Sequence, residues 1–138
     1  MNFFKTAFLI CLTMLSMSAH AARSAVPLVN YDNVAIVTGS KNAPQLDKVK
    51  QAIRVGAAVK GWTIEDAADG TLTATIVVRD KHKVVVKIDY DASKYSIHYK
   101  DSAVMKYEVN NGQAVIHPFY NVWVENLKND INIELLKL

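Results

Sequence analysis

The sequence predicts an α+β fold, a two-layer sandwich in which an antiparallel meander of four to five strands is covered on one face by two helices. Three observations carry this expectation. Apolar side chains recur at every second position through Leu72, Ala74, Ile76 and Val78, then Val84, Val86, Ile88 and Tyr90, then Tyr95, Ile97 and Tyr99. That is the period of strands sharing one buried face. Before this block the spacing changes to three and four over Leu46, Val49, Ile53, Gly56, Ala57 and Lys60, and it does so again after it over Tyr120, Trp123, Val124, Leu127, Ile131, Leu135 and Leu138. Each is the signature of an amphipathic helix. Finally, the chain has 138 residues and is 51% hydrophobic, enough for one domain with one core and too short for two.

The first residues stand apart from this pattern. Met1 to Lys5 is short and positive, Ala7 to Met17 is apolar, and Ala19-His20-Ala21 is a small-x-small site, so residues 1–21 read as a secretory signal peptide cleaved after Ala21. A retained membrane anchor would need roughly 20 apolar residues, and this run is shorter. Cys11 is the only cysteine and leaves with the leader, so the expected mature chain of 22–138 has no thiol chemistry, no disulfide and no lipid-attachment cysteine. Lys5 leaves too, taking the formal charge from +3 to +2. A sequence pI near 8.9 suits an anionic partner but is too mild to indicate nucleic acid. The expected location is the periplasm or the exterior, with no transmembrane segment after cleavage.

In chain order, Ala22 to Pro27 reads as a loose leader segment and Val34 to Thr38 as a short edge strand. Pro44 fits the first turn of a helix running to Lys60, capped by Asn42 and stopped by Gly61. Gly56, Ala57 and Ala58 thin its last two turns, which suits close packing on the sheet. Lys41, Lys48, Lys50 and Arg54 form its solvated face. Parity then sets the hairpins. Keeping Trp62 and Ile64 on the core face with Leu72 and Ala74 requires a three-residue turn, Ala68-Asp69-Gly70. Pairing Val78 with Val84 requires another, Asp80-Lys81-His82, and pairing Tyr90 with Tyr95 leaves a four-residue loop, Asp91 to Lys94. Thr73, Thr75, Arg79, Lys83, Lys87, Asp89, Lys94, His98 and Lys100 then share the opposite face, interrupted by Val77 and Val85. That face is expected to be polar, open and net positive. Val104 to Tyr107 forms a return segment, Asn111-Gly112 a tight turn before Ala114-Val115-Ile116, and His117-Pro118 the start of the last helix.

The series Gly61-Trp62, Gly70-x-Leu72-x-Ala74, Arg79 with His82, Ile88-x-Tyr90, Tyr95-x-Ile97-x-Tyr99-x-x-Ser102, Tyr107, and Ile116-His117-x-x-Tyr120-Asn121-x-Trp123-Val124-x-Asn126-Leu127 resembles a family of small exported proteins of Gram-negative bacteria. The resemblance covers Gly61 to Leu127. It implies a periplasmic or lipid-anchored α+β protein and adds no mechanism, because the family has no assigned activity.

Motifs for chemistry are sparse. Three histidines follow the leader, His82, His98 and His117, and none stands in a paired zinc spacing. His82 is expected in a turn, His98 on the open face beside Lys87, and His117 at a helix start as a cap; convergence on a metal is not expected. Ser93, Ser96 and Ser102 lie outside any nucleophile elbow, and Asp89 and Asp91 flank Tyr90 as turn and solvent residues. Phosphate loops are absent, and no cofactor is expected.

Two surfaces are left for function. The first expectation is a non-catalytic binding or interaction module using Arg79, Lys83, Lys87, His98 and Lys100 against an envelope protein or an anionic envelope component such as lipopolysaccharide phosphates. A merely solvated face is the competing reading. The alternative is a small-ligand-binding protein or small enzyme with a cleft at the aromatic end of the sheet, lined by His82, Tyr90 and Tyr95. Assembly through the edge strand Val34 to Thr38 is the third.

Overall fold

The computed structural model describes residues 23–138, so the signal peptide expected over 1–21 lies outside the described residues. The elements are β1 (Val26–Pro27), β2 (Tyr31–Ala35), α1 (Leu46–Val59), β3 (Thr63–Asp66), β4 (Leu72–Val78), β5 (His82–Tyr90), β6 (Lys94–Ala103), β7 (Glu108–Asn110), β8 (Gln113–Ile116) and α2 (Pro118–Leu135). They build two antiparallel sheets, one of five strands in the order β2-β6-β5-β4-β3 and one of three in the order β1-β8-β7. The chain is α+β, as its periodicities predict. Among the described residues no helix is long and apolar enough to cross a membrane.

The core forms where the alternating face of the large sheet meets both helices. Leu72, Ala74, Val84, Val86, Ile88 and Ile97 from the strands pack with Val49, Ile53 and Ala57 of α1 and with Tyr120, Val124, Leu127, Ile131 and Leu135 of α2, all fully buried. Each of the buried Val, Leu and Ile side chains contributes about 1.5–3 kcal/mol through burial. Tyr95 joins them from β6, and its hydroxyl donates to Asn132 Oδ1 at 2.6 Å and to the Lys128 carbonyl at 3.2 Å, tying the sheet to α2.

Both helix ends show why the chain turns where it does. Gly61, at φ +85°, ends α1 in a Schellman arrangement: Trp62 N–H donates to the Ala57 carbonyl and Gly61 N–H to the Ala58 carbonyl, each at 3.1 Å. The start of α1 differs from expectation. Gln45 occupies the cap position with no side-chain capping bond, so Pro44 precedes the helix and Asn42 does not cap it. The thin turns also serve another neighbour. A Cβ on Gly56 would lie 2.7 Å from Ile131 Cα, so α1 is thin there to approach α2 rather than the sheet. At α2, Pro118 sits in the first turn and His117 Nδ1 accepts the Phe119 N–H at 3.1 Å, a side-chain cap.

The first hairpin, with Ile64 opposite Ala74, and the third, with Tyr90 opposite Tyr95, have the expected registers. The second is displaced by two residues. Ile76 faces Val84 and Val78 faces His82, so the turn is Arg79-Asp80-Lys81 and His82 is the first residue of a strand. Hydrophobic alternation fixes only which face a residue occupies, and a shift of two leaves every face unchanged. Arg79 and Asp80 make this turn with left-handed backbone, φ +54° and +56°.

Three further details correct the sequence reading. The edge strand is Tyr31–Ala35 rather than Val34 to Thr38, with a bulge before Val34 that places Asn33 at φ +51°. The segment before it is no loose leader, since Val26 and Pro27 pair with Ile116 and Val115. In β6 a bulge at Lys100 separates the pairs Val86–Tyr99 and Val85–Asp101, turning Asp101 to the open face.

Candidate functional site

A cavity of about 360 Å³ opens where the β4–β5 turn, the segment between β6 and β7 and the first turns of α2 meet. Val78, Met105, Phe119, Val122 and Trp123 give it an apolar lining, and Arg79, His82 and His117 supply its polar groups. A second cavity of about 210 Å³ shares Val78 and Trp123 with it and continues past Trp62, Ile76, Lys60 and Asn126. The two adjoin at Val78 and Trp123, and together they are termed the groove. Both tryptophans of the chain lie on it.

Opposite constraints hold the two histidines. A carbonyl can only accept, so the 3.0 Å contact between His82 Nδ1 and the Val104 carbonyl places a proton on Nδ1 and leaves Nε2 with a lone pair in the neutral ring. His117 is the reverse. Its Nδ1 accepts the Phe119 N–H, so in the neutral ring Nε2 carries the proton. Burial, followed by the charges of Lys106, His82 and Arg23, holds the His117 imidazole below its ordinary value of 6.5 and favours the neutral form. The cavity thus combines one imidazole acceptor, one imidazole donor and a guanidinium.

The same two residues fix the segment that closes the cavity. Met105 is buried at 2% exposure between Val104 and Lys106, which stand at φ +58° and +53°. Left-handed backbone is costly for a β-branched residue such as Val104. It is held by the His82 side chain on the Val104 carbonyl and by the His117 N–H, which donates to the Met105 carbonyl at 2.8 Å. Around the rim the His117 and Phe119 rings lie 4.9 Å apart, Phe119 and Trp123 6.0 Å apart, and the Arg23 guanidinium sits 4.6 Å above Phe119. Lys106 Nζ donates to the Arg23 carbonyl at 3.1 Å, which fastens the start of the described chain to this rim.

A metal fits poorly here. Among the described residues no three His, Cys, Asp or Glu side chains cluster. His117 would coordinate through Nε2 only by moving its proton to Nδ1, which would break the helix cap.

The sequence-derived site residues divide differently from expectation. Arg79 leaves the open face for the cavity. Lys87 and His98 do share the open face as an opposed pair, but each is bracketed by acids. Lys87 Nζ lies 3.4 Å from Asp89 and 3.5 Å from Asp69, and the His98 ring lies 2.5 Å from Asp32 and 3.9 Å from Asp89. Lys100 donates to Thr73 Oγ1 at 3.2 Å, and Lys83 stands opposite Val77. Glu65, paired with Thr73, and Asp101 occupy the same face, so it is mixed in sign rather than net positive.

The proposed grouping of His82, Tyr90 and Tyr95 also separates. His82 opens β5 and Tyr90 closes it, about 26 Å away at 3.3 Å per residue. Tyr90 and Tyr95 line a shallower depression of about 170 Å³ with Asn33, Asp89 and Asp91. Asp91 Oδ1 is already occupied there by the Ser93 and Lys94 N–H groups. Conversely, His82 and His117 were expected to stay apart, and they share one cavity. The signal for this lay in the hairpin register: moving His82 from a turn into a strand aligns it with Val78 on the face that looks toward α2. No protein-family model, curated protein or solved structure matches this chain.

Proposed function

We propose that this protein is a small exported binding module that takes a ligand with an apolar body into the groove between the β4–β5 turn and the start of α2. The observation that carries the reading is the composition of the cavity. An apolar lining of aromatic and aliphatic side chains surrounds a few convergent polar groups, Arg79, His82 and His117, in a volume within the range of small-molecule sites. Those groups come from two segments 35 residues or more apart in the chain, and backbone hydrogen bonds orient the two histidines. Preorganised donors and acceptors on a rigid frame favour recognition. Among the described residues no serine, threonine, cysteine or carboxylate lines the cavity, which supports binding better than covalent catalysis. Export rests on the leader pattern ending at Ala19-His20-Ala21.

Intrinsic fluorescence tests the binding, because Trp62 and Trp123 both lie on the groove. Ten-carbon amphiphiles should change the emission saturably. The Val122→Phe variant, altered at a half-exposed position of α2, should fill the cavity and abolish the response while keeping the fold. An absence of saturable change, or an equal response in the variant, contradicts the reading.

A further inference from the structure

Resting on that reading, we infer that the ligand is an anionic amphiphile, a chain or ring of about a dozen non-hydrogen atoms carrying one negatively charged head. The size follows from the cavity: about 360 Å³ divided by the ~30 Å³ that a water-sized group occupies in a liquid. The charge follows from what surrounds it. Arg79 lines the cavity, the Arg23 guanidinium lies 4.6 Å above the ring of the lining residue Phe119, and Lys106 Nζ reaches the Arg23 carbonyl at 3.1 Å. Among the described residues none of these three cations forms an ion pair with a carboxylate, whereas Lys50 and Arg54 of α1 share Asp66 at 2.6 Å. No carboxylate lines the cavity either.

An uncompensated cluster of like charges beside a low-dielectric wall raises the local concentration of anions and repels cations. The head would accept hydrogen bonds from the Arg79 guanidinium and from His117 Nε2–H, both donors. The apolar body would lie over Val78 and Trp123, the two residues common to both cavities, and so point toward Trp62. This orientation puts the charge at the rim, where water and three cations meet it, and the chain inside. A cationic head is repelled, and an uncharged head can accept a hydrogen bond from the guanidinium but gains neither the charge-assisted strength nor the field. Carboxylate and phosphate heads share this chemistry.

Decanoate, decyl phosphate, decanol and decylamine, matched in chain length, should be titrated against the purified protein by tryptophan fluorescence at neutral pH. The inference predicts that the two anions bind at least tenfold more tightly than decanol and that decylamine binds least. The Arg79→Gln variant, with its thermal midpoint checked as a control of fold, should lose most of the anion preference and retain decanol binding. Comparable affinities for all four heads would overturn the anionic assignment and leave the cleft reading standing. Failure of all four to bind would overturn both. A preference for one anion over the other identifies the head as carboxylate or phosphate.

Discussion

His82 and Val104, 22 residues apart in sequence, are joined by a 3.0 Å hydrogen bond from the imidazole Nδ1–H to the backbone carbonyl. This contact fixes the His82 tautomer and holds Val104 at φ +58°, so the group that faces the cavity and the strained segment that closes it depend on each other. A β-branched residue in left-handed backbone stores on the order of 1–2 kcal/mol. Val104 is 59% exposed, so little burial is lost when it is replaced. Val104→Asn, a residue tolerant of this conformation, should raise stability by about 1 kcal/mol in urea unfolding. A destabilised variant would mean that the valine side chain makes a contribution larger than the strain.

Gly56 makes the opposite case. In an exposed helix, Gly→Ala stabilises by about 1 kcal/mol. Here the added methyl would meet the backbone of Ile131 at 2.7–2.8 Å and the Asp130 carbonyl at 2.9 Å, none of which is a flexible side-chain end. Gly56→Ala should therefore destabilise by about 1–3 kcal/mol, as overpacking does. Equal or greater stability would show that α1 and α2 can separate at little cost.

The His117 cap makes stability depend on pH. The folded ring is held below 6.5 by burial, Lys106, His82 and Arg23, so the unfolded chain takes up its proton first. The contribution of the neutral ring is complete above about pH 6.5 and is lost as pH falls through the lower folded value. His117→Asn keeps a capping acceptor and removes the titration. Its denaturation midpoint should change less between pH 7 and 5.5 than that of the native chain. Asp66, Asp69 and Asp91, held below 3.8 by their hydrogen bonds and neighbouring lysines or arginines, act at lower pH.

Asn121 fastens the first strand to the last helix. Its Oδ1 accepts the Val29 N–H at 3.0 Å and its Nδ2 donates to the Pro27 carbonyl at 2.9 Å. Losing both bonds should cost about 1–3 kcal/mol. Asn121→Ala should also speed amide exchange at Val26 and Leu28, and unchanged exchange there would count against the tether.

The large sheet, both helices and the small hairpin at Asn111-Gly112 were legible because each rests on local rules: period two, period 3.6, and a turn that needs positive φ, observed at +50° and +78°. The cleft was not. Its walls are set by quantities that no local pattern carries. One is a two-residue register shift that keeps every face intact; another is the left-handed backbone at Val104 and Lys106, residues with no turn preference. The third is the path of β1, a two-residue strand whose pairing with β8 brings Arg23 to Phe119. The basic open face was misread for the same reason. The bulge at Lys100 turns Asp101 outward, and Asp32 arrives from a strand placed three residues off.

The most direct test of the cleft is side-chain ¹⁵N–¹H NMR of the histidines, read with the backbone amides, with and without saturating decanoate. The account predicts shifts at His82 and His117 together with Met105 and Trp123, while His98, Lys87, Tyr90 and Tyr95 stay in place. Shifts confined to the open face or to the Tyr90–Tyr95 end, with His82 and His117 unmoved, would contradict it.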